Sequence, residues 1–340
     1  MTSSLERFSR WLKHEPIEKP LRWLGMPTPE AMPGLLNYFN AADVNELKAI
    51  LDDDIYPVDV AYHHPPANHI ACAFDWHVAH ENESYTERSL TEAGFFARCN
   101  DIDRFPWPDP AEHIDVAECR ENAERVPEGR IGLGILWSAH FQDVCAAFGM
   151  ENALMQMLLE PEFFARVLER IVDFYLRANE IFYRATAGKI HAVLIGNDLG
   201  TQLNTIISPE SFREFVVPGI RQLTSQAHAH GLKVIYHSCG AVSSIIPDLV
   251  AAGADVVHPI QARAAGMSAE ELKAAYGTKY LYCGGVDVQD LMVRGTPEKV
   301  RREVRRLLEI FPENLILSPS HEALLPDVPP ANVAALFDKC

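Results

Sequence analysis

The segment KVIYHSCG (Lys233 to Gly240) closes an apolar run on an imidazole and a thiol two positions apart. Residues two apart on a strand project to the same side, so His237 and Cys239 would stand about 6–7 Å apart at the backbone on one face. That arrangement suits two ligands of one metal ion. Zinc accepts imidazole nitrogen and thiolate sulfur, and a catalytic zinc site keeps three protein ligands and one open position. A buried strand can equally end on a hydrogen-bonded histidine and an inert cysteine. Spacing alone favours that plainer reading, and the company the pair keeps argues against it.

Other short apolar runs also end on polar residues. HAVLIGNDLG ends with Asn197 and Asp198, ADVVHPIQ with His258 and Gln261, KYLYCGGVD with Cys283 and Asp287, and NLILSPSHE with Ser320, His321 and Glu322. In a closed parallel barrel the carboxyl ends of the strands converge on one mouth, where chemistry concentrates. Five strand ends with reactive or hydrogen-bonding residues fit such a mouth.

The elements that must position these residues can be read from the same rhythm. With YPVDVAYHHPP and RIGLGILWS there are seven such runs, separated by longer stretches of helical periodicity. The helices carry start and stop signals: Ser208 before Pro209 and Gly231 at the end, the capping pair Ser268 and Glu271 before Gly277, and Thr296 before Pro297. Continuous apolar strands alternating with capped helices mean parallel strands buried on both faces. A lone GLG at 132–134 makes no dinucleotide fingerprint. The expected fold is therefore α/β, a single-domain (β/α)8 TIM barrel over residues 56–340, with an N-terminal helical extension over 1–55. The polar, alternating stretch HVAHENESYTERSLTEAGFFARC predicts a hairpin inserted in the barrel or laid over it.

Bulk properties exclude several classes. The chain has 340 residues, 48% hydrophobic and 23% charged, which is ordinary globular composition. No run approaches the ~20 apolar residues of a membrane span. Its 47 acidic against 30 basic residues give a formal charge of −17, a field that repels phosphate backbones and excludes nucleic acid as the expected partner. The basic stretch KVRREVRRL reads as a solvated helix face. Seven cysteines at irregular spacing, with no CxxC pair and no secretory signal, predict reduced thiols and a cytoplasmic setting.

Taken together, GNDLGTQ (196–202), SPESFREFVVPGIRQL, HSCGAV with IPDLVAAGADVVHPIQ, CGGVDVQDLM with GTPEKVRREV, and LSPSHEALLPDVPPANV resemble the uroporphyrinogen decarboxylase superfamily. More narrowly, they resemble its branch of corrinoid-linked methyltransferases. The resemblance runs from about residue 100 to the C-terminus, and its motifs specify the superfamily better than any one reaction. It implies a (β/α)8 barrel and zinc bound by an HxC motif and a cysteine near the C-terminus. His237 and Cys239 match the first two ligands. His321, in PSH, stands where the third, a cysteine, would be, and Glu322 beside it could contribute an oxygen. One thiolate and two imidazoles leave a zinc site at +1, so a thiolate bound there would be less nucleophilic than at the neutral two-thiolate site.

True uroporphyrinogen decarboxylases carry an Arg-rich N-terminal motif, which the first 60 residues lack. A polycarboxylate substrate would be poorly held. The expectation is thus a zinc-dependent methyltransferase acting on a small-molecule methyl donor or acceptor. Asp198 would orient or protonate the substrate, and Asn197, Gln202, Gln261, Asp287 and Gln289 would line the pocket. No DxHxxG signature is present, so any corrinoid would arrive on a separate protein. The alternatives are a metal-free decarboxylating lyase and a non-catalytic metabolite- or corrinoid-binding subunit. The methyl donor and acceptor, and whether the chain forms a homodimer, stay open at this stage.

Overall fold

The computed structural model describes residues 2–63, 77–78, 86–87, 96 and 99–338. Among them, seven strands form one parallel sheet: β1 (Ile55–Asp59), β2 (Ile131–Ile135), β3 (Ala192–Gly196), β4 (Lys233–His237), β5 (Val256–Ile260), β6 (Tyr282–Val286) and β7 (Leu315–Pro319). They neighbour one another in chain order, with helices in the connections. These are the seven apolar runs of the sequence. Strands β2, β3, β5, β6 and β7 are buried over their whole length, as a sheet covered on both faces requires.

The two edge strands are joined by a short stretch of the N-terminal region, Leu21–Leu24. The Trp23 N–H donates to the Leu317 carbonyl, the Leu317 N–H to Leu21, and the Asp54 N–H to Arg22. This eighth stave sits between β7 and the start of β1, and the sheet becomes a TIM-barrel-like (β/α)8 ring. It is pinned by side chains as well as by backbone. Asp54 accepts from the Arg22 N–H at 2.9 Å and from Ser4 Oγ at 2.6 Å, and pairs with Arg7. Asp53 accepts from the Leu24 N–H at 3.2 Å and pairs with Lys48.

Residues of alternating parity fill the ring. Ile131, Leu133 and Ile135 of β2, Ala192 and Leu194 of β3, Ile235 of β4, Val256 of β5 and Ile316 of β7 share one cluster with Phe8, Trp11, Leu21 and Trp23. The helix Ser4–Trp11, opened by a capping box of Ser3 and Glu6, brings Phe8 and Trp11 against that interior. An aromatic side chain of this size buries roughly 150–250 Å², worth up to about 4–6 kcal/mol for each Trp. The opposite strand faces, such as Val193, Ile195, Val234 and Tyr236, pack in the cluster that contains the surrounding helices.

The predicted caps form. Ser208 Oγ accepts the Ser211 N–H, Ser268 and Glu271 make a reciprocal capping box, and Thr296 Oγ1 accepts the Lys299 N–H. The expected hairpin also forms where it is described, with His77–Val78 antiparallel to Thr86–Glu87. In the basic helix, Arg301 pairs with Asp338 and Arg306 with Glu303, in keeping with a solvated face. Among the described residues no helix is long and apolar enough to cross a membrane. Cys99, Cys119, Cys145, Cys239 and Cys283 are free thiols, while Cys72 and Cys340 lie outside the described residues.

Candidate functional site

Strands β3, β4 and β5 lie side by side, and their carboxyl ends bring together residues distant in sequence. Gly196 pairs in register with His237, and His237 with His258. A Cβ on Gly196 would lie 2.0 Å from the His237 carbonyl oxygen, so only glycine permits this approach. Gly240, just past Cys239, has φ +86°, and a Cβ there would meet the Gly200 backbone at 2.3 Å. The turn that carries Cys239 back towards His237 therefore depends on glycine.

His237 is buried at the centre of the site. Its Nε2 lies 3.1 Å from Asp198 Oδ1 and 3.2 Å from Cys239 Sγ. Its Nδ1 lies 3.0 Å from His258 Nδ1 and 3.3 Å from Glu322 Oε2. The Trp137 ring stands edge-on to the imidazole, with centroids 5.3 Å apart. Burial favours the neutral ring, but the Glu322 and Cys239 charges and the Asp198 hydrogen bond prevail and push the His237 pKa well above its usual value. His258 shifts the other way, well below, through burial and the charges of His237 and His321. A neutral His258 can accept the His237 Nδ1–H at its own Nδ1.

Asp198 is held by three elements. Its Oδ1 accepts the Cys239 N–H at 3.3 Å, and its Oδ2 accepts from Gln142 Nε2 at 3.2 Å. Gln142 Oε1 in turn accepts the Asp198 N–H at 3.1 Å. Burial would raise the carboxyl pKa, yet the His237 hydrogen bond and charge, with the Cys239 bonds, hold it at about 2. An ionised carboxylate can orient a group or ligate a cation. It has no proton to give, so the acid half of the role anticipated for Asp198 has no support in this geometry.

The ligand atoms of Asp198, His237 and Cys239 lie within 4.8 Å of one another, as do those of His237, His258 and Glu322. His321 borders the cluster, its ring centroid 5.9 Å from that of His237. A hydrogen bond with Cys239 raises the His321 pKa. Its Nδ1 accepts the Ala323 N–H at 3.1 Å, which leaves the neutral ring with its proton on Nε2. In that state His321 offers an N–H rather than a lone pair. A cavity of about 230 Å³ opens over the cluster, lined by Trp137, Gln142, Asp143, Asp198, His237, His321 and Glu322 among others. No lysine or arginine is among its described lining residues.

The remaining candidates divide. Gln261 accepts the Gly240 N–H at 2.6 Å, and with Gln289 it lines a second cavity across His321. Asn197 is buried and accepts the N–H groups of Phe141 and Gln142, so it fixes the start of the helix His140–Phe148. Asp287 accepts from the Gln289 and Leu291 N–H groups and faces Arg263. Gln202 is exposed on a loop. Asn197, Asp287 and Gln202 line neither cavity. Gln142, Trp137 and the support given by His258 went unseen in the sequence. Gln142 lies in the first turn of a helix after a strand, a position that any polar residue can occupy.

A barrel with a nitrogen, sulfur and oxygen donor cluster at its carboxyl mouth defines the class. The uroporphyrinogen decarboxylase family model matches residues 94–340, and the chain belongs to that family. A methylated-thiol–coenzyme M methyltransferase of Methanosarcina mazei is 25% identical over 211 residues, 59% of this chain and 53% of that protein. A uroporphyrinogen decarboxylase of Syntrophotalea carbinolica is 32% identical over 196 residues, 55% of this chain and 51% of that protein. The chain thus spans about half the length of these curated relatives. A solved methyltransferase from Methanosarcina mazei superposes with a TM-score of 0.72 at 17% identity, covering 99% of this chain and 97% of that one, and it shares the fold.

Proposed function

We propose that this protein is a zinc-dependent methyltransferase that moves a methyl group between a small methylated molecule, or a separate corrinoid-carrying protein, and an acceptor. The observation that carries the reading is the convergence of His237 Nε2, Cys239 Sγ and an Asp198 carboxylate oxygen within 4.8 Å at the barrel mouth. Their chemistry fits zinc, which takes nitrogen, thiolate and carboxylate donors. The support behind them fits as well, since a ligating imidazole ordinarily has its second nitrogen held by a partner. The likeness to a named methyltransferase supports the reaction class.

Bound zinc would supply Lewis acidity at an open position. His237, Cys239 and Asp198 would hold it, with Asp198 in the place first expected of His321. One imidazole, one thiolate and one carboxylate make the site formally neutral, the charge that two thiolates and one imidazole would give. Gln142 keeps Asp198 from turning, and His258 and Glu322 fix the His237 ring. His321 donates to the Cys239 sulfur and tempers its charge. In the net reaction the methyl moves as a cation equivalent. The donor atom, a heteroatom or the corrinoid cobalt, keeps the bonding pair and the acceptor supplies the new one. Where the acceptor is a thiol, its proton goes to the donor heteroatom or, with a cobalt donor, to solvent.

Decarboxylation is the second reading, favoured by the 32% identity to a uroporphyrinogen decarboxylase. Among the described residues that line the cavity there is no lysine or arginine, which speaks against it, because a polycarboxylate needs cationic partners. Side-by-side assays decide. Zinc-loaded protein with methylated substrates and a corrinoid protein should yield methylated acceptor, and Cys239→Ser should abolish this. Coproporphyrinogen formation from uroporphyrinogen by the wild type would overturn the reading.

A further inference from the structure

A larger cavity, of about 530 Å³, lies at the other end of the barrel. It is enclosed by the N-terminal helix Ser4–Trp11, the end of the helix Pro161–Ala185, and the turns that lead into β3 and β4. His191 precedes β3 and Lys233 opens β4, so these residues mark the amino ends of the strands. His237 closes β4, roughly 13 Å further along the strand. The cavity and the donor cluster are therefore separate places.

Its walls are apolar, with Leu5, Phe8, Leu12, Ile190 and Leu232 among them. Three lining groups still have bonding capacity. Tyr183 is 2% exposed, and its hydroxyl has no hydrogen-bond partner among the described residues. Burial pushes the Tyr183 pKa up, so the hydroxyl keeps its proton. His191 Nδ1 accepts the Gly132 N–H at 3.0 Å and burial lowers its pKa, which leaves the neutral ring with its proton on Nε2. Lys13, exposed at the rim, pairs with no carboxylate among the described residues. The other two basic lining residues are already answered, Lys233 by Asp255 at 3.0 Å and His230 by Glu180 at 2.9 Å. No aspartate or glutamate is among the described lining residues, although the whole chain carries a formal charge of −17.

We infer that this chamber binds a small monocarboxylic acid with an apolar body, at a site distinct from the donor cluster. Size and lining are those of a small-molecule site, apolar walls with a few placed polar groups. The walls take the body of the acid. The Tyr183 O–H and the His191 N–H can donate to its carboxylate, while Lys13 reaches over from the rim on a long flexible stem and supplies the charge. Hydrogen bonds to an ionised acceptor are roughly twice as strong as neutral ones. A sequestered hydroxyl without a partner costs stability, and a carboxylate oxygen beside Tyr183 removes that cost. A dianion would outnumber the one free cation and leave a charge unanswered.

Titration calorimetry on the full chain tests this with octanoate, octan-1-ol and octylammonium. Octanoate should bind more tightly than the other two by about tenfold or more. Lys13→Glu reverses the charge at an exposed position and should weaken octanoate by about tenfold, with octan-1-ol unchanged. Ser9 is an exposed lining residue, so Ser9→Trp can fill the entrance without touching the core, and it should weaken octanoate too. Tyr183→Phe should weaken octanoate while raising the unfolding midpoint of the ligand-free protein. A hydroxyl that serves packing alone would leave octanoate affinity where it was. Cys239→Ser and zinc removal by chelation should not change octanoate binding, because the chamber is built without those residues. Octan-1-ol or octylammonium binding as tightly as octanoate would overturn the assignment of an acid. Octanoate affinity retained in both Lys13→Glu and Ser9→Trp, or lost on Cys239→Ser, would overturn the site.

Discussion

The Nε2 of His237 lies 3.1 Å from Oδ1 of Asp198, across the junction of two adjacent strands. This contact joins an imidazole held well above its usual pKa to an ionised carboxylate. Without metal it is an ion pair. With metal, the proton between the two groups is what a cation would replace, and both atoms become donors to one centre.

Exchanging the third ligand is the first consequence. Asp198→Asn removes a charged donor and should weaken zinc binding clearly, while His321→Ala should keep near-stoichiometric metal. Competition against a chromophoric chelator measures both. Zinc lost from His321→Ala and retained in Asp198→Asn would return His321 to the ligand set.

Zinc affinity should also depend on pH, with a sign that follows from the state of His237. The apo protein holds a proton on this ring well above the usual histidine range. Ligation requires its release. Protons therefore compete with zinc, and affinity should fall as the pH is lowered through the range where the free His237 ring stays protonated. Chelator competition across about pH 6–9 should give a rising profile. A flat one would take His237 out of the site.

Ring closure offers a stability test. Asp54 is fully buried, pairs with Arg7, and accepts from Ser4 and from the Arg22 backbone. Asp54→Ala leaves the Arg7 charge without its partner and should cost about 3–5 kcal/mol, read from denaturant midpoints. A loss below about 1 kcal/mol would mean that the eighth stave holds without this anchor.

The seven regular strands were legible because each is a continuous apolar run that parallel sheets demand. Leu21–Leu24 was not, since its pairing rests on single backbone bonds and on the Asp53 and Asp54 side chains, which no local pattern announces. The same division holds at the mouth. His237 and Cys239 were visible through their spacing on one strand end, and Asp198 through its place after β3. That Asp198 rather than His321 faces the His237 Nε2 depends on the register of β3 against β4. Gln142 and His258 act through contacts across 56 and 21 positions, beyond any short motif.

The turn after Cys239 gives a further variant. Gly240→Ala would force a Cβ onto the Gly200 backbone at positive φ, so the turn must move. Zinc affinity should drop with it, although no ligand has been altered. Calorimetric zinc titration of the folded variant would reveal an unchanged affinity if Cys239 is not a ligand.

The most direct measurement is the metal content of protein purified without an affinity tag, by elemental analysis of the wild type and of Cys239→Ser. The account predicts close to one zinc per chain in the wild type and little in the variant. A wild type that transfers methyl groups with no bound metal, or a variant that retains its zinc in full, would contradict it.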